Sequence, residues 1–183
     1  RRLAALVLTL AVAVSAVLPV FAVYPMPIQT ATETEAVYLF NADTGKTLLT
    51  QNADQPRYVA SLTKMMTALL LLESGKDLNG EVTVPTDLTQ EFKDIQNANG
   101  TTMGLRIGET VRRIDLLNAL LITSANDAAS VIAWDVGGSL NAFIQQMNAR
   151  AAELGCTSAT FTCAHGLYDY GNVAFGQRTW QRS

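Results

Sequence analysis

The 183-residue sequence contains a single histidine and two cysteines, too few for a metal site with the usual histidine or cysteine spacings. It has no excess of basic residues, since 13 Lys and Arg stand against 16 Asp and Glu, and a nucleic-acid partner is therefore not expected. Charged residues make up 16% and hydrophobic residues 49%, which excludes a disordered chain. The composition predicts one folded domain, or part of one, without a metal or other cofactor.

The first 22 residues are typical of a secretory signal peptide. Arg1 and Arg2 precede an uncharged run rich in Leu, Val and Ala, and Ala22 provides a small residue for cleavage. The alternative is a membrane anchor, because the run is long enough to span a bilayer. Residues 23–34 are expected to form a flexible lead-in. We expect an extracytoplasmic protein that contacts the membrane only through the signal segment or through a C-terminal part that the sequence lacks.

Cys156 and Cys163 lie seven residues apart, and disulfides persist in the predicted compartment. Two free thiols are expected, and a bridge that closes this short loop is the alternative.

The rest of the chain alternates short extended runs with longer helical ones. Residues 35–40 and 46–50 flank turn-forming residues and predict a β-hairpin. Hydrophobic periodicity predicts four helices, at about residues 60–74, 113–122, 126–136 and 139–155. The first of these helices is apolar nearly all round and is expected to be buried on every side. Residues 81–111 are predicted to form small β pieces and loops.

Ser61 and Lys64 stand three residues apart at the start of the first helix, so their side chains share one face. A buried lysine loses its charge more easily, and its amine can then take the proton of the Ser61 hydroxyl and activate it for acyl transfer. The alternative is a serine that caps the helix beside a lysine that reaches solvent.

A second polar pair, Ser124 and Asn126, falls in the break between two apolar helices. Either these side chains project into a cleft, or they cap the next helix. Another Ser-x-Asn tripeptide begins at Ser139, but the two glycines before it and the periodic helix after it explain Ser139 as an N-cap.

Both pairs lie in segments that resemble the first two active-site motifs of the secreted D-alanyl-D-alanine carboxypeptidases. These are low-molecular-mass penicillin-binding proteins, and β-lactamases share their fold. The segments are VASLTKMMTA at 59–68 and LITSANDAA at 121–129, and the resemblance extends over about residues 35–171. It implies a mixed α/β (α+β) fold of the β-lactamase/transpeptidase type, with an antiparallel sheet beside a helical cluster and a partial catalytic domain at residues 35–172.

The resemblance also implies roles for the four polar residues. Ser61 would be the nucleophile, acylated by a peptidoglycan stem peptide that ends in D-Ala-D-Ala, and Lys64 would take its proton. Ser124 would relay a proton to the leaving amine, and Asn126 would bind the substrate amide. β-Lactam antibiotics would acylate the same serine as covalent inhibitors. A β-lactamase and a non-catalytic peptidoglycan-binding relative are the alternatives, and His165 is expected to be structural.

One family motif, Lys-Thr/Ser-Gly, is absent, because no lysine follows Lys93. We therefore expect the chain to hold only part of the domain and to be weakly active or inactive by itself. Residues 173–183 show neither helical nor strand periodicity, and a shifted reading of the codons for 178–182 can encode the Asp-Met-Ala that the family has in this region. We hypothesise an out-of-frame tail; a genuine short variant or a fragment end is the alternative.

Overall fold

The structure is a computed structural model that describes residues 36–167. The predicted signal peptide, the lead-in at 23–34 and the tail at 173–183 lie outside the described residues. The chain divides into two compact units, with the boundary between Gln55 and Pro56.

The first unit contains the predicted β-hairpin. Strands β1 (Val37–Phe40) and β2 (Thr47–Gln51) pair antiparallel, with Val37 opposite Gln51. In the turn between them, the side-chain oxygen of Asn41 accepts the Thr44 N–H at 2.9 Å, as turn asparagines commonly do. The hairpin prediction is confirmed to within two residues at each end.

Over its described residues, 56–167, the second unit combines five α-helices with one small sheet. Strands β3 (Glu81–Thr83) and β4 (Thr110–Arg112) pair antiparallel, with Val82 opposite Val111. Two short 3-10 turns, at Ala60–Leu62 and Thr86–Leu88, lead directly into helices. The helices are α1 (Thr63–Glu73), α2 (Thr89–Asn97), α3 (Arg113–Ile122), α4 (Asn126–Gly137) and α5 (Leu140–Glu153).

Helix α4 forms the centre of this unit and packs against the other four helices. Its residues from Asn126 to Ala133 are all buried. The surrounding core side chains include Leu71 of α1, Leu116 of α3 and Phe143 of α5, each no more than 1% exposed. The first turns of α4 are therefore closely packed, and polar side chains at its start have little freedom to move.

Helix α4 ends at the glycine pair 137–138, as predicted. Gly138 has φ +73°, in the left-handed region that glycine adopts without strain at a helix end. The Ser139 hydroxyl oxygen then accepts the Ala142 N–H at 3.1 Å, which confirms Ser139 as the N-cap of α5.

Two predictions about the helices are wrong. Residues 81–111 contain the expected β pieces but also helix α2, whose core side chain Ile95 is fully buried while the helix is otherwise mostly polar. Such a short helix shows too few periodic positions to stand out from a loop. The first helix is not buried on every side, because Leu62, Met65 and Leu72 are 63%, 66% and 55% exposed.

Among residues 36–167, no helix is long and apolar enough to cross a membrane. The same part of the chain shows no group of three or more His, Cys, Asp and Glu side chains arranged to hold a metal ion. Both cysteines are free thiols, with Cys156 exposed and Cys163 half-buried.

Candidate active site

Ser61 and Lys64 lie at the junction of the first 3-10 turn and helix α1, but in very different surroundings. Ser61 is exposed in the turn, whereas Lys64 is 2% exposed in the first turn of α1. The alternative in which this lysine reaches solvent is therefore wrong. Its burial is tolerable because polar partners surround its amine.

Three oxygens surround the Lys64 Nζ atom. Nζ lies 2.8 Å from Asn126 Oδ1, 2.8 Å from the His165 carbonyl oxygen and 3.2 Å from Ser61 Oγ. A charged ammonium donates three hydrogens, one to each of these oxygens. A neutral amine donates only two, and the two short contacts with carbonyl-type oxygens would use both. The remaining lone pair then points at Ser61 Oγ, which is the direction a proton acceptor needs.

The environment favours the neutral amine. Burial lowers the pKa of Lys64 to about 8, although the nearby Cys163 sulfur acts in the opposite direction. At neutral to mildly alkaline pH, a useful fraction of the side chain is therefore unprotonated. A base with a pKa close to the working pH is well matched to proton transfer.

The break between α3 and α4 presents Ser124 to the same serine. Ser124 Oγ donates a hydrogen bond to Ser61 Oγ at 2.9 Å. Its backbone is left-handed, with φ +59°, a conformation that strains a residue other than glycine. Helix α4 is capped at Ala125 without a side-chain hydrogen bond, so the capping alternative for Ser124 and Asn126 is wrong. Strain at a residue that touches the candidate nucleophile points to function rather than to folding.

Asn126 is held from both sides. Its backbone N–H and its side-chain Nδ2 both donate to the Thr101 carbonyl, at 2.8 and 3.0 Å. Its Oδ1 is thereby turned toward Lys64. The neighbouring Asp127 carboxylate accepts the backbone N–H groups of residues 103–105, each at 3.0 Å, and fixes this loop against the start of α4.

The turn at residues 164–166 closes the site from the other side. Thr67, one helical turn after Lys64, donates from its hydroxyl to the Ala164 carbonyl at 2.6 Å. Gly166 has φ +75°, and a Cβ atom there would collide with the Ala60 carbonyl oxygen. Only glycine allows the turn to approach the residue before Ser61 this closely.

The His165 ring is completely buried behind this turn. Its Nδ1 accepts the Leu167 N–H at 3.0 Å, and its Nε2 lies 3.1 Å from Glu91 Oε1. Since Nδ1 accepts, the ring proton is on Nε2 and is donated to Glu91. Cys163 and Glu91 raise the pKa of His165 despite its burial, but the Leu167 N–H that points at Nδ1 leaves no room for a proton there and keeps the ring neutral. It is the backbone carbonyl of His165 that accepts from Lys64.

The structure thus brings Ser61, Lys64, Ser124 and Asn126 together. Sequence reasoning did not find three residues that hold them, Thr67, Thr101 and Glu91. Thr67 carried a usable signal, because it is a polar residue three positions after Lys64 in an otherwise apolar helix. Thr101 acts through its backbone carbonyl, which every residue type has, so the sequence could not indicate this role.

A cleft of about 450 Å³ opens beside the start of α4. Gly100, Thr102 and Asp127, which flank Thr101 and Asn126 in the sequence, contribute to its wall. Its volume is within the range of sites that hold small ligands.

A serine hydroxyl, a buried lysine amine and a second serine in one hydrogen-bonded cluster form an arrangement that can support serine acyl transfer without a histidine base. Comparison with known proteins gives the family of the chain. The sequence profile of the D-alanyl-D-alanine carboxypeptidase family matches residues 24–176, and the chain belongs to this family.

Individual relatives agree with this assignment. The chain is 33% identical over 160 residues to the D-alanyl-D-alanine endopeptidase of Pseudomonas aeruginosa, covering 87% of this chain and 49% of the relative. It is 31% identical over 144 residues to the D-alanyl-D-alanine carboxypeptidase DacF of Bacillus subtilis, covering 79% of this chain and 36% of that protein. The chain thus spans about half or less of the length of these relatives.

The fold is also similar to that of solved structures. The crystal structure of the Streptomyces K15 DD-transpeptidase matches with a TM-score of 0.66 and 31% identity, over 77% of this chain and 56% of that one. The predicted fold class, a mixed α/β (α+β) fold of the β-lactamase/transpeptidase type, is confirmed. The antiparallel strands form two separate two-stranded sheets in the described part of the chain.

Proposed function

We propose that the intact protein is a serine-type D-Ala-D-Ala carboxypeptidase of the cell wall. The observation that carries the proposal is the set of contacts around Lys64 Nζ, because two carbonyl-type acceptors leave its lone pair directed at Ser61 Oγ. Family membership supplies the substrate class, a peptidoglycan stem peptide that ends in D-Ala-D-Ala.

The first half of the reaction forms an acyl-enzyme. Lys64 takes the proton of the Ser61 hydroxyl as Oγ attacks the carbonyl carbon of the penultimate D-Ala. The carbon–nitrogen bond to the terminal D-Ala then breaks. Ser124, which donates to Ser61 Oγ, would give its hydroxyl proton to the leaving amine and regain a proton from the Lys64 ammonium, so that Lys64 is neutral again before deacylation. Asn126 retains a second Nδ2 hydrogen beyond the one given to Thr101, and this hydrogen is available to a substrate carbonyl.

The second half releases the shortened peptide. Water attacks the ester carbonyl, Lys64 accepts a proton from that water, and the proton returns to Ser61 Oγ as the ester bond breaks. A β-lactam would acylate Ser61 in the same way, because its strained amide presents an equivalent carbonyl. A protein that meets this substrate works outside the cytoplasm, in agreement with the signal peptide predicted at residues 1–22.

The test is release of D-Ala from a synthetic pentapeptide that ends in D-Ala-D-Ala, together with mass mapping of the serine acylated by penicillin. We expect free D-Ala at one equivalent per peptide cleaved, and penicillin on the tryptic peptide that contains Ser61. Penicillin attached to another serine, or a folded protein that is never acylated, would overturn the proposal.

A second candidate is hydrolysis of a cross-link between two stem peptides, since several relatives are named D-alanyl-D-alanine endopeptidases. The same acyl-enzyme would form, but the leaving amine would belong to another stem peptide. Incubation with a cross-linked muropeptide dimer separates the two, because an endopeptidase yields monomers and a strict carboxypeptidase does not. A β-lactamase would be recognised by rapid turnover of its penicillin acyl-enzyme.

A further inference from the structure

The direction of the Lys64 lone pair depends in part on the His165 carbonyl, which belongs to the short turn at residues 164–166. One of the two carbonyl-type acceptors is the amide oxygen of Asn126, which is fixed by Thr101 and by helix α4. The other is the backbone carbonyl of His165, at 2.8 Å from Nζ. The same peptide group carries the Gly166 N–H, which donates to Cys163 Sγ at 3.2 Å and sets the plane within the turn. The position of the turn relative to Lys64 depends on contacts with the rest of the unit.

The His165 side chain fixes the position of this turn. Its ring is fully buried and is bonded at both nitrogens, to the Leu167 N–H at Nδ1 and to Glu91 Oε1 at Nε2. The Leu167 contact is local to the turn. The Glu91 contact instead ties the turn to helix α2, a separate element of the same unit.

Glu91 is itself anchored to the centre of the unit. Its Oε1 also accepts the Ser130 hydroxyl at 3.0 Å, and that hydroxyl lies 3.3 Å from the Asn126 carbonyl, one turn back along α4. The Glu91 side chain is 14% exposed, and a largely buried carboxylate is costly unless it is paired. Burial raises the pKa of Glu91, but the bonds from His165 and Ser130 outweigh it and hold the pKa below its usual value.

We propose that Glu91 is a positioning residue for acylation: through the His165 ring it fixes the carbonyl that takes one N–H of Lys64 and so directs the amine at Ser61. The assignment rests on the proposed acyl-transfer function. Glu91 lies one residue removed from the reacting atoms and transfers no proton to them.

A purely structural role for Glu91 makes a different prediction. Loss of a structural contact lowers the fraction of protein that is folded and therefore the final amount of acyl-enzyme. Loss of a positioning contact leaves the folded fraction able to react, but each molecule reacts more slowly, because a displaced base is poorly aligned with its proton donor.

The experiment measures the acylation of Ser61 by a fluorescent penicillin in the intact protein, separating the limiting acylation rate from the dissociation constant of the initial complex. Glu91→Ala removes the contact, and Glu91→Gln keeps an oxygen that accepts the His165 Nε2 hydrogen. Asp94→Asn is the matched control, since Asp94 is a carboxylate on the same helix that accepts from Gln90 at the surface.

We expect Glu91→Ala to lower the limiting rate about tenfold, with the dissociation constant within about twofold of wild type and the labelled fraction unchanged. Glu91→Gln recovers most of the rate, and Asp94→Asn behaves as wild type. A wild-type limiting rate in Glu91→Ala, or a loss confined to the labelled fraction, would overturn the proposal.

A second measurement decides the matter even if the wild-type protein is never acylated, an outcome that would contradict only the proposed function. The pKa of Lys64 is followed by NMR in protein labelled with carbon-13 lysine, and Lys64→Arg assigns the resonance. A carbonyl acceptor stabilises the ammonium more than the amine, so Glu91→Ala should lower this pKa below its value of about 8 in the wild type. An unchanged or raised pKa would rule out the link between Glu91 and Lys64.

Discussion

The two faces of helix α1 differ in an unusual way: the inward face buries two polar side chains beside core residues such as Leu71, and the outward face leaves apolar side chains exposed. Its buried face includes Lys64 at 2% exposure and Thr67 at 0%, while Met65 and Leu72 on the other face are more than half exposed. Hydrophobic burial alone does not select this orientation, because both faces of the helix carry apolar side chains. The buried polar groups are accommodated because each has hydrogen-bond partners, and those partners belong to the site. The polar contacts of the site therefore distinguish the inward side of α1 from its outward side.

The largest effect is expected when Ser61, the candidate nucleophile just before α1, is removed. Ser61→Ala should abolish covalent labelling of the intact protein by a fluorescent penicillin, since no other group can form the ester. The thermal midpoint should stay within a few degrees of wild type, because Ser61 is exposed. Labelling retained in this variant would show that another residue is acylated.

Lys64→Arg keeps the positive charge and removes the base. A guanidinium stays protonated at any accessible pH, so it cannot accept the Ser61 proton. We expect the acylation rate to fall by about 10²–10⁴, the range typical of a lost general base. Stopped-flow or gel-based labelling over time measures it, and a near-normal rate at neutral pH would show that the amine is not the base.

The two Ser-x-Asn tripeptides offer a matched pair. Ser124→Ala removes the hydroxyl that contacts Ser61 and should slow acylation about 10²-fold, at the lower end of acid–base effects. Ser139→Ala removes only the cap of α5 and should cost about 1 kcal/mol of stability with the acylation rate unchanged. Urea unfolding and labelling kinetics, run on both variants, compare them. Equal loss of rate in the two would remove the catalytic assignment of Ser124.

The pH dependence of acylation follows from the buried amine. Below its pKa of about 8, Lys64 gains a proton, and the neutral fraction falls about tenfold for each pH unit. The acylation rate should therefore rise from pH 6 to about pH 8 and level off above it. A rate that is constant between pH 6 and 8 would contradict Lys64 as the base, provided that circular dichroism shows the protein folded throughout.

The sequence predicted the members of the site better than it predicted their surroundings. Ser61 and Lys64 follow from helical spacing, and Ser124 and Asn126 from their place between two helices. The orientation of α1 could not be derived, because a helix with apolar residues on all sides gives no preferred face. The contact between Glu91 and His165 joins residues 74 positions apart, and no local pattern encodes it.

The smallest expected effects are on the free energy of unfolding, and they come from one substitution on each face of α1. Thr67→Val keeps the shape of the side chain but leaves the buried Ala164 carbonyl without the hydroxyl that donates to it at 2.6 Å. An unsatisfied buried acceptor costs about 1–3 kcal/mol, so the free energy of unfolding should fall by that amount. Met65→Gln, two residues earlier, exchanges one good helix former for another at a 66% exposed position and should change it by less than about 0.5 kcal/mol. Urea titration of both variants in the intact protein gives the two values. If Met65→Gln lowered the free energy of unfolding more than Thr67→Val, the exposed face of α1 would contribute more to stability than the buried face, contrary to this prediction.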